Sequence, residues 1–207
     1  MIDELLRKFS LISDQVDRDE LRVILTEFAK VLDSRISGDV VEFGCYTGTT
    51  SLFLARILRK VKSDKKLSLY DSFVGLPDKT QEDSSRAGDE FRVGELFATK
   101  KELLTNFARN NLPRPIAIKS WFRDIREDQL PDKICFAFFD GDFYESIRDS
   151  FTKCEGRFAN DATIIVDDFA NEKLPGAARA VNEWHAKNSA KIKNFREEKS
   201  LAIIHLK

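Results

Sequence analysis

The stretch VVEFGCYTGTTSLFLARIL, residues 40–58, decides the fold: a strand-like run ends at Gly44, a short turn reaches Gly48, and apolar residues then recur at helical spacing. Glycines at both ends of the turn let the backbone bend tightly and approach a ligand closely. The dinucleotide fingerprint G-x-G-x-x-G needs a glycine where this chain has Tyr46, and the spacing here is G-x-x-x-G. A nicotinamide dinucleotide is therefore disfavoured. Glu42, two residues before the first glycine, and Asp71, at the end of the next strand-like run, suit a ligand with an adenosyl ribose and a positively charged end. Glycines also serve strand-to-helix turns that bind nothing, so this turn has to be weighed in its context.

That context alternates. DVVEF (39–43), KLSLYD (66–71), PIAIK (115–119), ICFAFFD (134–140) and ATIIVD (162–167) read as buried strands separated by helical segments. Such alternation predicts right-handed crossovers and an α/β fold whose parallel sheet is covered by helices on both faces. KIKNFREE (191–198) and SLAIIHL (200–206), separated by a short turn around Lys199 and Ser200, predict a C-terminal antiparallel hairpin. At the other end, Leu21, Ile24, Leu25, Phe28, Val31 and Leu32 recur at helical spacing behind a capping box of Asp17 and Glu20. With the shorter LLRKF segment they make residues 1–37 a helical preface.

At 207 residues and 42% hydrophobic content, one domain over residues 1–207 is expected. Lys and Arg number 34 against 35 Asp and Glu, so no global positive field draws the chain to nucleic acid or an anionic membrane. No apolar run approaches the ~20 residues of a membrane span. Cys45, Cys135 and Cys154 are odd in number and form no CxxC pair, which suits a reducing cytoplasm.

Five motifs occur in order between about residues 38 and 190: VEFGCYTGTTS, YDSFVGLPD, KSWFRDI, FFDGDFYES and IIVDDFANEKLPGAARAVNEW. In them the chain resembles class I S-adenosylmethionine-dependent methyltransferases, and more narrowly the macrocin O-methyltransferase family, which methylates sugar hydroxyls of macrolide antibiotics. The resemblance implies a Rossmann-like sheet of five parallel strands plus the hairpin, with S-adenosyl-L-methionine as cofactor. It places Glu42, Gly44, Cys45, Tyr46, Thr47 and Gly48 at the methionine end, Asp71 and Ser72 at the ribose, and Ser120 with Trp121 at the adenine. In sequence, Trp121 reads equally well as a core residue.

Strands four and five of such a sheet are neighbours about 4.8 Å apart, so Asp140, Asp167 and Asp168 should crowd into one crevice. Buried like charges repel unless some are protonated or a cation sits among them, and oxygen ligands favour Mg²⁺ over zinc. Aspartates at such positions also cap helices. The resemblance points to the metal, with Asp140, Asp167 and Asp168 as ligands. An ion that chelates two neighbouring hydroxyls would activate one of them. Catechol-type relatives carry a lysine three residues after the first metal aspartate, where this chain has Phe143, so the expected proton acceptor is Asp140, with a metal-bound water as the alternative. His185 and His205 read as residues outside the chemistry, whereas Arg179 and Trp184 are candidates for the acceptor side on a helix whose small residues, Ala178 and Val181 among them, also read as packing on the sheet. The polar segment 72–90 reads either as a lid or as a passive insertion.

The expectation is thus an O-methyltransferase dependent on S-adenosylmethionine and Mg²⁺, acting on a sugar or another small-molecule vicinal diol. A non-catalytic adenosyl-binding module and a methyltransferase of phenolic diols are the alternatives. The expected partner is the small-molecule acceptor, with no nucleic acid and no membrane, and a homodimer stays open.

Overall fold

In the computed structural model, which describes residues 1–86 and 90–207, ICFAFF forms the central strand, and its side chains divide between the two faces of a sheet. Cys135, Phe136 and Phe138 enter one buried cluster, and Ile134, Ala137 and Phe139 enter the other. A strand buried on both faces has no polar side, which is why this run is continuously apolar.

The strands are β1 (Asp39–Phe43), β2 (Leu67–Asp71), β3 (Ile116–Lys119), β4 (Ile134–Phe139), β5 (Phe158–Val166), β6 (Ile192–Glu198) and β7 (Leu201–Leu206). They form one sheet in the order β3-β2-β1-β4-β5-β7-β6. The first five are parallel, and β7 runs antiparallel to both β5 and β6. The expected sheet and hairpin are therefore present. One boundary differs: β5 begins four residues before the apolar run ATIIV, because Phe158 pairs with Ile134 across a register shift. Pairing with β4 extends that strand where its own sequence pattern does not.

Helices α1 (Ile2–Lys8), α2 (Arg18–Asp33), α3 (Thr49–Lys60) and α4 (Lys100–Arg109) supply the first cluster, and α5 (Tyr144–Cys154) and α6 (Pro175–Asn188) the second. The capping box of α2 is formed as expected: Asp17 Oδ1 accepts from the Asp19 and Glu20 amides at 2.7 and 2.8 Å, and Glu20 Oε2 accepts from the Asp17 amide. The guanidinium of Arg56 lies 3.9 Å from the Phe9 ring centre and 4.7 Å from that of Phe53, and so ties the end of α1 to α3. All three cysteines are buried and unpaired.

Away from the carboxyl edge, Glu27 of α2 is buried and accepts from Lys30 Nζ (2.6 Å), His205 Nε2 (2.8 Å) and Arg196 Nη2 (3.0 Å). Burial alone would push its carboxyl up, but the bonds from His205 and Lys30 and the charge of Arg196 bring it down from 4.5 to about 2. A carboxyl depressed on folding stabilises the fold above its unfolded value, and that contribution is lost as the pH falls from 4.5 towards about 2. Glu27→Ala should therefore destabilise the protein by about 2 kcal/mol at neutral pH. In urea unfolding, the gap between parent and variant should narrow in acid; a gap constant from neutral pH down to about 2 would contradict this assignment.

Candidate active site

The sheet ladder continues one residue past the strands and lines up the ends of five of them. Ser120 N donates to Asp71 O (2.9 Å), Gly44 N to Tyr70 O (2.8 Å), Asp140 N to Phe43 O (2.8 Å) and Asp167 N to Phe139 O (2.9 Å). The row across the carboxyl edge therefore reads Ser120, Asp71, Gly44, Asp140, Asp167. Gly44, at φ +87°, allows this closeness: a Cβ there would lie 1.7 Å from the carbonyl oxygen of Asp140. The close approach expected of this glycine is thus made to β4's own backbone. Gly48, at φ +96°, caps α3 and packs on Leu103.

Asp71 ties the turn to β2. Its Oδ2 accepts from the Cys45 and Tyr46 amides (3.0 and 2.9 Å), and its Oδ1 from the Phe73 amide (2.7 Å). Burial raises its pKa and these bonds work against the rise. From α4, Asn106 Nδ2 supports the turn by donating to Thr47 O at 3.0 Å. Glu42 is buried behind the turn, bonded to Ser51 Oγ (2.6 Å), and burial followed by the charge of Asp71 pushes it up to about 8.

A cavity of about 260 Å³ opens above this row. Of the residues expected at the cofactor, Gly44, Tyr46, Asp71, Ser72 and Trp121 line it, while Glu42, Cys45, Thr47, Gly48 and Ser120 do not. Trp121 is thereby a pocket residue and is absent from the core clusters. Of the expected metal ligands, Asp140 and Asp168 line the cavity and Asp167 is buried beside them at 5% exposure. Asp142 joins them from a left-handed turn at φ +59°.

These four carboxylates burden one another. Burial, then the charges of Asp167, Asp142 and Asp168, hold the Asp140 carboxyl well above its usual range. Burial, then Asp168 and Asp167, does the same to Asp142. Asp167 is pushed up to about 8 by burial and by Asp168, and burial raises Asp168. Among the described residues no lysine or arginine ion pair reaches any of the four. Asp167 Oδ1 is committed to the Asp168 amide (2.8 Å) and Ser200 Oγ (3.1 Å), and Asp168 Oδ1 to Asn171 Nδ2 (2.8 Å). The three expected ligands are thus neighbours whose oxygens do not converge, and among the described residues no group of three or more acidic, histidine or cysteine side chains is arranged to hold a metal. As a donor set they still suit a hard divalent cation: all oxygen, buried, and without a cationic partner.

Several pocket residues were not foreseen. Asp14 and Gln15 come from the loop between α1 and α2, held against the glycine turn by Ser13 Oγ, 2.6 Å from Thr49 Oγ1. Phe122, Glu145 and Asn171 also line the cavity. The polar segment that starts at residue 72 contributes Leu76 and Pro77, and Phe91 and Leu96 follow it, so this wall is less polar than its composition suggests. Asp83, buried in the same segment, accepts from the Thr80 amide (2.9 Å) and from the amide of Tyr144 that opens α5 (2.7 Å). Residues 87–89 of the expected lid lie outside the described residues. Trp184 and Arg179 do not reach the cavity: Trp184 stacks on Phe151 at 4.4 Å, and Arg179 pairs with Glu183. That face of α6 is spent on packing against α5. His185 packs on Phe195 and His205 bonds Glu27, so neither histidine lines the cavity.

The family profile of Macrocin-O-methyltransferase (TylF) matches residues 11–196, reaching further into the N-terminal helices than the motifs alone. Demethyldecarbamoylnovobiocin O-methyltransferase of Streptomyces niveus is 29% identical over 165 residues, which are 76% of this chain and 62% of that protein. The 8-demethyl-8-(2,3-dimethoxy-alpha-L-rhamnosyl)-tetracenomycin-C 4'-O-methyltransferase of Streptomyces olivaceus is 29% identical over 147 residues, 68% of this chain and 56% of that protein. The chain therefore spans about three-fifths of the length of these curated relatives. Among solved structures, the O-methyltransferase NovP is similar, with a TM-score of 0.78 and 25% identity over 90% of this chain and 78% of that one.

Carboxyls raised on folding favour the fold below about pH 4, their usual range, and that contribution is lost as the pH rises towards about 8. The ligand-free protein should lose stability across that interval, and Asp142→Asn should raise its melting temperature at pH 8. Equal melting temperatures for parent and variant at pH 8 would show that the repulsion is absent.

Proposed function

Because the chain belongs to the Macrocin-O-methyltransferase (TylF) family, we propose that it transfers a methyl group from S-adenosyl-L-methionine to a sugar hydroxyl of a natural product. The observation that carries this reading is the row across the carboxyl edge. It sets a tight glycine turn with its acid directly beside a group of carboxylates, so a cofactor over Asp71 and Gly44 would present its methyl to an acceptor over Asp140. One of the relatives is named for a rhamnosyl tetracenomycin, which supports a sugar as acceptor.

Asp71 Oδ1 accepts a single amide and keeps a lone pair for a ribose hydroxyl. Trp121 offers its ring to the adenine, and Tyr46 with the turn from Gly44 to Gly48 encloses the methionine end, backed by Glu42, Cys45 and Thr47. Ser72 and Ser120 flank Asp71. Asp140, Asp167 and Asp168 would hold Mg²⁺, with Asp142 beside them. When bound, the ion supplies a Lewis acid that lowers the pKa of a coordinated hydroxyl, and it offsets the repulsion among the acids. Asp140, once its own proton has been given up on cation binding, would take the proton of the acceptor hydroxyl. That oxygen's electron pair then forms the O–CH₃ bond as the S–CH₃ bond breaks, and the bonding pair stays with sulfur. Holding both reactants in line is the larger part of the task. A vicinal diol would suit such a site, since both of its neighbouring hydroxyls could lie against the carboxylates of Asp140 and Asp168 that line the cavity. Phenolic diols are the second reading, favoured by the aromatic wall of Phe91, Trp121 and Phe122.

Mass spectrometry with deuteromethyl-labelled S-adenosylmethionine should detect the label on a glycoside bearing a vicinal diol, less on the same glycoside lacking one of the hydroxyls, and none after exhaustive chelation. Transfer to a catechol alone would overturn the sugar assignment, activity that survives chelation would overturn the metal, and no transfer to any acceptor would favour a binding module. Asp140→Asn should lower turnover by about 10²-fold or more while leaving S-adenosylhomocysteine binding intact. Asp71→Ala should weaken that binding by more than about tenfold, measured by calorimetry; unchanged affinity would place the ribose elsewhere.

A further inference from the structure

Helix α5 has no cap of its own. Its N-cap residue, Phe143, has no hydrogen-bonding side chain and is 1% exposed, packed with Leu76 and Leu174 in a small apolar cluster that Phe91 and Leu96 adjoin. The cap comes from Asp83, 61 residues upstream, whose Oδ1 accepts from the Tyr144 amide at 2.7 Å. Oδ2 of the same carboxylate accepts from the amide and the hydroxyl of Thr80, at 2.9 and 2.7 Å. Asp83 is 1% exposed, so these three donors replace the water it has lost. α6 makes room for it: a Cβ on Gly176 would lie 1.8 Å from Asp83 Oδ1 and 2.7 Å from the Tyr144 amide nitrogen. The carboxylate thus sits at the first turns of two helices, where the helix dipole favours negative charge.

The segment that carries Asp83 also gives Leu76 and Pro77 to the cavity, and the turn that leads into the capped helix gives it Asp140, Gly141 and Asp142. Wall and turn are therefore tied through one carboxylate and one apolar cluster. The ion pairs of Lys173 with Glu90 and of Arg179 with Glu82 join the same segment to the region of α6, but they are largely exposed and hold little. A serine or aspartate at position 143 would cap α5 without touching the wall, so what the distant carboxylate adds is the tie itself. We propose that Asp83 is a positioning residue for the acceptor: it holds the wall of Leu76 and Pro77, with Phe91 and Leu96, at a fixed distance from the turn of Asp142, and so sets the width of the cavity between them. The inference rests on the reading of this cavity as the place where acceptor meets cofactor, and it needs no metal ion.

The test is steady-state kinetics at saturating S-adenosylmethionine, with the vicinal-diol glycoside of the labelling experiment as the varied acceptor, for the parent, Asp83→Ala, Asp83→Asn and Thr80→Val. Asp83→Ala should raise the acceptor KM by about tenfold, the worth of one charge-assisted hydrogen bond, with kcat and S-adenosylhomocysteine affinity within about threefold of the parent. Asp83→Asn keeps an oxygen for the Tyr144 amide and should stay within about threefold in KM. Thr80→Val, which removes one donor to Asp83 from the wall side, should fall between the two. In hydrogen exchange, Asp83→Ala should speed exchange in residues 76–83 and 139–147 together. Equal acceptor KM in parent and Asp83→Ala would overturn the positioning role, as would parallel losses in kcat and cofactor affinity, the mark of general damage. If Asp83→Ala fails to fold, Thr80→Val decides in the same way. No transfer by the parent would refute the proposed function and the acceptor role with it, whereas unchanged exchange in residues 139–147 would refute the tie itself, whatever the activity.

Discussion

Negative charge confined to one end of a parallel sheet is the constraint on which the rest of this molecule depends. Two unit charges 4 Å apart repel by about 4 kcal/mol at an effective dielectric constant of 20, so a few such pairs rival the ~5 to 15 kcal/mol of a typical domain's stability. Burial and mutual repulsion favour the neutral forms of these acids, with Asp167 pushed up to about 8 and Asp140 and Asp142 raised above their usual range. An arrangement this unfavourable in the ligand-free state suits the cation and the sulfonium-bearing cofactor of the proposed function. On that proposal, bound positive charge would offset the repulsion.

The scaffold keeps the strain local. β4 lies between two buried clusters and pairs in parallel with β1 and β5, so the end of the strand that presents Asp140 cannot retreat from the row. Gly44 lets β1 reach Asp140 so closely that a side chain would collide with its carbonyl. Asp71 marks the contrast. It is an acid of the same row, but three backbone amides satisfy it, so it serves as the tie between the turn and β2, whereas Asp140 and Asp142 have no such donors among the described residues.

Much of this was legible in the sequence where local pattern and final structure agree. Continuous apolar runs marked the buried strands, Asp17 and Glu20 marked the start of α2, and Asp71, Asp140 and Asp167 announced themselves by following those runs. What escaped notice depends on contacts between distant segments. Asp14 and Gln15 reach the cavity because Ser13 meets Thr49, and no pattern within residues 10–17 encodes that meeting. Asp142 was visible beside Asp140 behind the apolar run, and only the left-handed turn that places it was not. Trp184 and Arg179 sit on a helix rich in small residues, and composition alone does not say that this face turns towards α5. Phe158 extends β5 through its pairing with β4, a tertiary effect that its own residues do not carry.

The central claim is that the carboxylate group is poised, partly protonated, to receive a cation. Calorimetric titration of Mg²⁺ at pH 7 in buffers of different ionisation enthalpy measures the protons displaced on binding. The account predicts release of about one proton or more per ion, since ligands that hold protons must give them up to bind. Binding with no proton release would show that these carboxylates are already ionised and that the repulsion at the heart of the account does not exist.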